Sequence, residues 1–196
     1  MRLLLYKYRG IQGFRFFIDI ILKQRLYAAP YKELNDPMEG RYLYNKSDGK
    51  IDEDMVQMLK GAKEKTRICS LSRDPNNELM WSHYAEGHKG VAIGVEVNNS
   101  KYKVRPIQYD GLHQIGRNNF HSGSAVDVLS HKLDVWDYEE EERVFTTNKQ
   151  YVDVKVRQII CGSRMSTQDK GFITDLVSKI DPSIEIINAR TNASYV

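Results

Sequence analysis

The sequence predicts an α+β fold, a single domain over residues 1–196 with mixed or antiparallel sheets and flanking helices. Three observations carry that expectation. Runs such as "TRICSLS", "GVAIGVEV" and "YVDVKVRQIICG" are rich in Val and Ile, as strands are. Helical spacing appears before and between these runs rather than after each one, which argues against a regularly alternating parallel sheet. Connections are short, and no repeat, linker or low-complexity segment interrupts the chain.

Taken in order, "MRLLLYKYRG" reads as a strand with Leu3, Leu5, Lys7 and Arg9 on one face and Leu4, Tyr6 and Tyr8 on the other. Gly10 and Gly13 bracket a turn into a helix whose core face is Phe14, Phe17, Ile18, Ile21 and Leu22. Pro30 and Pro37 forbid a regular helix through "AAPYKELNDPMEG", where Asn35-Asp36-Pro37 is a turn signal and Asp36 can bond the following backbone. "IDEDMVQMLKGA" reads as a more exposed helix. "TRICSLS" is a buried strand, and "DPNNELMWSHYAEG" opens with turn chemistry and becomes a short helix ended by Gly87. Further strands follow at "GVAIGVEV", "YKVRPIQYD", "ERVFTT" and "YVDVKVRQIICG", with a helix near "SAVDVLSHKL" between them. "TQDKGFITDLVSKI" closes as a helix and "SIEIINAR" as a strand.

Composition sets bounds. Apolar residues at 41% and charged residues at 28% are ordinary globular usage, in a chain long enough for a substantial core. A net charge of +3 neither demands nor excludes nucleic acid, because a local basic patch can be hidden in the total. Cys69 and Cys161 lie far apart in apolar runs and read as buried free thiols in a reducing cytoplasm. "FRFFIDIILKQRLY" contains Asp19 and is too short to cross a bilayer, and the N-terminus lacks a long apolar region and cleavage site. The chain reads as cytoplasmic, with no membrane role.

Several stretches can carry chemistry. In "WDYEEEERVF" an extended backbone places Trp136, Tyr138, Glu140, Glu142 and Val144 on one face and Glu139, Glu141 and Arg143 on the other. Such a run is either a solvated acidic edge or a site carboxylate held by Arg143. Arg9 ends its strand beside Gly10, as a surface charge or as a phosphate ligand with room for close backbone approach. Asp36 and Glu39 share a tight turn. In "LMWSHYAEGHKG", Leu79, Met80 and Trp81 are candidate core, while His83, Tyr84 and His88 are candidate site or satisfied polar groups. His83 and His88 stand about 140° apart on a helix, and there is no HExxH or CxxC spacing, so no metal site is assigned. No P-loop, dinucleotide fingerprint or nucleophile elbow is present.

In order, "LYKYRG", "LNDPMEG", "SLS…LMWSHYAEGHKGVAIGV", "YEEEERVF" and "ICGSRMS" resemble a widespread bacterial family of unassigned function, over nearly the whole chain. Leu34 stands where that family more often has Phe, and Glu142 where an aromatic is common. The layout also resembles that of ADP-ribosyltransferases: a first-strand Arg, a central Ser-x-Ser strand entering an aromatic helix, and a late Glu. Toxins that modify nucleic acid bases are the nearest in layout. This second resemblance implies NAD as substrate and an ADP-ribosyltransferase-like fold. It implies Arg9 and Tyr8 at the phosphate or ribose, Ser70, Ser72, Trp81 and Tyr84 along the nicotinamide, and Glu141, with Glu139 second, as the catalytic carboxylate. His83 would face substrate, with Asp36, Glu39, His88 and Arg143 on the substrate side. The implied acceptor is a nucleic acid or a protein, and the implied setting is a toxin or phage-defence effector with a possible antitoxin. Two other classes stay open: a metal-dependent nuclease using Asp36, Glu39, Glu139 and Glu141, and a non-catalytic nucleotide-sensing or interaction module.

Overall fold

A computed structural model describes residues 4–45 and 52–190; Leu3 of the first strand and Ile51 at the head of the second helix lie outside them. Period-two alternation makes β1 (Leu4–Arg9), with Leu5 in the main core and Tyr8 packed edge-on against Trp81. Helix α1 (Phe14–Lys23) buries Phe17, Ile20 and Ile21, while Leu22 is exposed. The expected face is thus rotated by part of a turn, because Ile20 faces the sheet and Leu22 does not. After α1, Gln24 adopts the left-handed conformation and two short strands follow, β2 (Arg25–Tyr27) and β3 (Ala29–Pro30).

A 3-10 turn at Tyr31–Glu33 leads to β4 (Leu43–Tyr44), and Asp52 caps α2 (Glu53–Lys65) by accepting from the amides of Asp54 and Met55. β5 (Thr66–Ser72), α3 (Glu78–Tyr84) and β6 (Val91–Val97) form the centre. β7 (Lys103–Pro106), β8 (Gln114–Ile115) and α4 (Ser124–Val128) precede β9 (Glu141–Thr147) and the long β10 (Tyr151–Cys161). α5 (Thr167–Ile180), capped by Ser166, and β11 (Glu185–Asn188) close the fold.

The main sheet runs β11-β10-β6-β1-β5-β9-β7, with β2 added to β10 and β3 to β5. Its pairs are antiparallel except β10 with β11, and a separate parallel pair joins β4 to β8. The chain is therefore α+β, as its pattern predicts. α1 and α5 cover one face over Leu5, Phe17, Ile93, Val95, Ile159, Ile173 and Val177. α3 packs the other face through Met80, Trp81 and Ala85 against Tyr8, Ala92 and Ile160. Among the described residues, no helix is long and apolar enough to cross a membrane. Cys69 and Cys161 are both buried and free.

The sheet has one seam. β1 pairs with β6 along its whole length, from Leu4 with Glu96 to Arg9 with Val91, yet meets β5 only at Tyr6 with Ser72. Beyond that pair the strands part, and Lys7 Nζ spans the gap to donate to the Ser70 carbonyl at 2.9 Å. Two glycines hold the neighbouring turns close. A Cβ on Gly90 would lie 2.2 Å from the Arg9 carbonyl oxygen, and one on Gly162 would lie 2.1 Å from that of His88.

Candidate functional site

The seam opens into a cavity of about 330 Å³. Tyr6, Lys7 and Tyr8 come to it from β1, Ser70, Leu71 and Ser72 from β5, and Met80 and Tyr84 from α3. Leu34 and Asn35 come from the loop after the first 3-10 turn, with Tyr27 and Glu33 nearby, and Lys132, Glu139, Glu141 and Arg143 complete the lining. A small-molecule site of this kind joins apolar and aromatic walls to a few fixed polar groups.

The charged wall is one continuous network. Glu39 grips Arg143 with both oxygens, at 2.6 and 2.7 Å. Arg143 reaches Glu141 through Nε at 2.8 Å and Nη2 at 3.1 Å. Lys132 Nζ then joins Glu141 at 3.1 Å to Glu139 at 2.5 Å. Tyr84 ends the chain, its hydroxyl donating to Glu139 Oε1 at 2.6 Å and accepting from Asn35 Nδ2. Each of the five charged members is 9% exposed or less, so the pairing must replace water around each of them.

This pairing decides what Glu141 can do. Burial alone pushes its carboxyl up, but Arg143 and then Lys132 outweigh burial, Ser70 adds a hydrogen bond, and the group is held down at about 2. Glu141 is therefore a fixed negative charge at neutral pH and does not serve as a proton donor. The Lys132 ammonium is raised despite its burial, because Glu141 and Glu139 flank it. Burial and then the Glu139 contact lift the Tyr84 phenol, so it stays protonated and donating. Tyr109 completes the support, its hydroxyl accepting from the Glu141 amide at 2.8 Å.

The backbone reaches this arrangement by a different route from the extended run expected for "WDYEEEERVF". Asp134–Glu139 is a 3-10 turn, and Glu140 is left-handed at φ 41°, so the strand begins only at Glu141. Glu139, Glu141 and Arg143 nevertheless converge on the cavity, while Glu142 points to the other side and binds Arg73. The acidic run is thus neither a solvated edge nor a continuous strand. One of its members, Glu140, is exposed and three are buried.

Of the residues singled out in the sequence, Tyr8, Ser70, Ser72, Tyr84, Glu139, Glu141 and Arg143 line the cavity. Glu39 acts one step behind, through Arg143. Arg9 does not reach the lining: its guanidinium lies 5.1 Å from the centre of the Phe16 ring, and Lys7 takes the position on the cavity. Gly10 does not border a ligand either, because the Glu86 side chain packs against it and accepts from the Gln12 amide at 3.1 Å. Trp81 is core, 2% exposed, with its indole N–H on the Pro75 carbonyl; Met80 faces the cavity instead.

His83 stands outside the lining, exposed, with Nδ1 3.3 Å from the Tyr138 hydroxyl. His88 is part of the turn after α3. It adopts φ 69°, stacks on Trp81 and lies 3.4 Å from Glu78. Asp36 caps its own turn, accepting from the Met38 amide at 2.8 Å. So "LMWSHYAEGHKG" is mostly core and turn, and it gives the cavity Met80 and Tyr84 alone.

Sequence reading missed Lys132, Lys7 and Tyr109. Lys7 was legible by alternation, two residues before Arg9 on the same face. Lys132 carries one signal, a lysine set between Leu129 and Leu133, which does not say that its partners are carboxylates. Tyr109 carries no local signal. Compared with known protein families, curated proteins and solved structures, the chain matches none of them.

Proposed function

We propose that this protein cleaves the nicotinamide–ribose bond of NAD and transfers ADP-ribose to an acceptor, with the cavity between β1 and β5 as its active site. One observation carries the reading: Glu141, on the wall of an aromatic-lined cavity, is held ionised at neutral pH by Arg143 and Lys132. As the C1′–N bond breaks, its electron pair leaves with nicotinamide, which departs neutral, and positive charge develops on the ribose. A fixed carboxylate at that point stabilises the charge without reorganising, commonly the largest catalytic contribution. The acceptor, or water, then bonds to C1′ and gives up its proton, and Glu139 is the carboxylate beside Glu141 that takes it.

The rest of the wall supports this assignment. Tyr6, Tyr8, Tyr84 and Met80 offer flat and polarisable surfaces for a pyridinium ring. Lys7, in the position first expected of Arg9, is the cation for the phosphates. At about 330 Å³ the cavity suits the nicotinamide and its ribose, leaving the adenosine half to the open side. The acceptor class is a nucleic acid or a protein, in a reducing cytoplasm, and the ADP-ribosyltransferase-like fold belongs to the same proposal.

A metal-dependent nuclease fits these residues less well. Glu39, Glu139 and Glu141 already hold Arg143 or Lys132, and Asp36 is engaged in its turn. A divalent cation would have to displace two fixed cations to use them. The test is nicotinamide release from NAD by the full chain, alone and with DNA, RNA or protein mixtures, beside Glu141→Gln and Tyr84→Phe. Release by the wild type that falls at least a hundredfold in Glu141→Gln supports the reading. NAD binding without release points to a sensor, and no NAD binding overturns the proposal.

A further inference from the structure

Beside the network, two of the five histidines, His113 and His131, line a second groove of about 370 Å³, and His121 contacts Asp127 on its wall. His131 Nδ1 lies 2.8 Å from Asp110 Oδ1, and His113 Nδ1 lies 3.0 Å from His131 Nε2. The two rings sit 4.5 Å apart. The proton positions follow from donor and acceptor chemistry. An ionised carboxylate only accepts, so His131 carries its proton on Nδ1 and its Nε2 accepts. His113 must then carry its own proton on Nδ1, leaving Nε2 as a free base. A first added proton goes to that Nε2 and leaves the contact intact. A second can only go to His131 Nε2, where two N–H groups would face each other across 3.0 Å.

This pair clips together the two segments that hold the cavity wall. The Gln108 amide donates to the Ser130 carbonyl at 2.9 Å, and the Lys132 amide donates to the Gln108 carbonyl at 3.0 Å. Lys132, next to His131, carries the ammonium between Glu139 and Glu141, and Tyr109, next to Gln108, accepts the Glu141 amide. We propose that the Asp110–His131–His113 chain is a proton-operated positioning device, which loosens Lys132 and Tyr109 when the histidine pair takes up its second proton. Its effect on function rests on the cavity being the active site; the mechanical coupling does not.

The charged surroundings set the direction. Asp110, Asp127 and His121 face the pair, and Asp127 is itself engaged by Arg105 at 2.5 Å and by His121 at 2.9 Å. Burial, then the neighbouring His131, pushes His113 below the usual histidine value. A depressed histidine favours the neutral folded pair. That contribution is present above about pH 6.5, the ordinary histidine value, and is lost as pH falls below it. The first proton, on His113, leaves the contact intact, so the device is closed at neutral pH and opens at more acid pH, when the pair takes up its second proton.

Trp136 provides a reporter that needs no ligand, because Lys132 Nζ sits 5.0 Å from the centre of its ring. The experiment is 19F NMR of 5-fluorotryptophan-labelled full chain from pH 8 to 5, with the Trp136 resonance assigned by Trp136→Phe. The wild type should show one transition of that resonance below about pH 6.5. His113→Asn should abolish it, because an amide can turn to present either donor or acceptor to His131 and keep the contact. Asp110→Asn, a change at an exposed side chain, should move the midpoint down by about half a pH unit, the effect of one exposed charge. NAD affinity should weaken about tenfold from pH 7.5 to 5.5 in the wild type and hold steady in His113→Asn, a tenfold change being the size of one lost hydrogen bond. An unmoved Trp136 resonance in the wild type, or the same transition in His113→Asn, overturns the proposal. A Trp136 transition in a protein that never binds NAD would retain the device and refute the proposed activity instead.

Discussion

Replacing Glu141 by Gln removes a charge that two buried cations share, and the structure sets the size of the effect twice. Arg143 contacts this carboxylate at 2.8 and 3.1 Å and Lys132 at 3.1 Å, and all three residues are 5% exposed or less. Removing one partner from a buried ion pair costs about 3–5 kcal/mol, since the remaining charges lose their compensation. The depression of Glu141 from 4.5 to about 2 gives an independent figure, about 3 kcal/mol at 1.36 kcal/mol per unit. For a chain of this length that loss lowers Tm by about 10 °C.

The pH dependence has a definite sign. A carboxylate depressed in the folded state contributes stability that is present above pH 4.5 and lost as pH falls toward 2. Wild type and Glu141→Gln should therefore differ by about 3 kcal/mol at pH 7 and converge only as pH falls to about 2. Urea unfolding at a series of pH values measures this difference directly. A gap below about 1 kcal/mol at pH 7 would refute the buried-network argument, because exposed pairs have that size. A large gap that stays constant into acid would show that shape, rather than charge, makes the residue necessary.

Arg143→Lys should cost about 3 kcal/mol in the same unfolding assay, because an ammonium cannot span both Glu39 oxygens and Glu141 as the guanidinium fork does. Lys132→Met should cost a similar amount at pH 7 and less in acid, where Glu141, no longer held down by Lys132, takes up a proton; a pH-independent loss would count against the shared-ammonium account. Tyr84→Phe leaves Glu139 without one buried donor and should lower stability by about 1–3 kcal/mol, with weaker NAD binding by calorimetry. Gly90→Ala drives a Cβ to 2.2 Å from the Arg9 carbonyl and should cost more than the ~1–3 kcal/mol of ordinary overpacking, read as a loss of folded yield or of Tm.

The sequence by itself determined the class and most of the elements, because these depend on local periodicity. The Val- and Ile-rich runs are strands, "TQDKGFITDLVSKI" is a helix over its full expected length, and Asp36 caps the turn its spacing announces. Alternation also put Glu139, Glu141 and Arg143 together, although a 3-10 turn and a left-handed Glu140 achieve it rather than one straight strand. Only the tertiary structure decided which of the conspicuous residues reach the cavity. Trp81 and His88 look like site residues in a line of text and are used as packing and turn, whereas Tyr109 has no local pattern to mark it and Lys132 only its place between two leucines, which does not name its partners. The parting of β1 from β5 has no signature either, since strand order and register come from contacts far apart in the chain. Local sequence sets which groups each element can offer; the long-range pairing of the sheet sets which of them meet, and the Arg143 and Lys132 brought to Glu141 then fix the charge it carries against its burial.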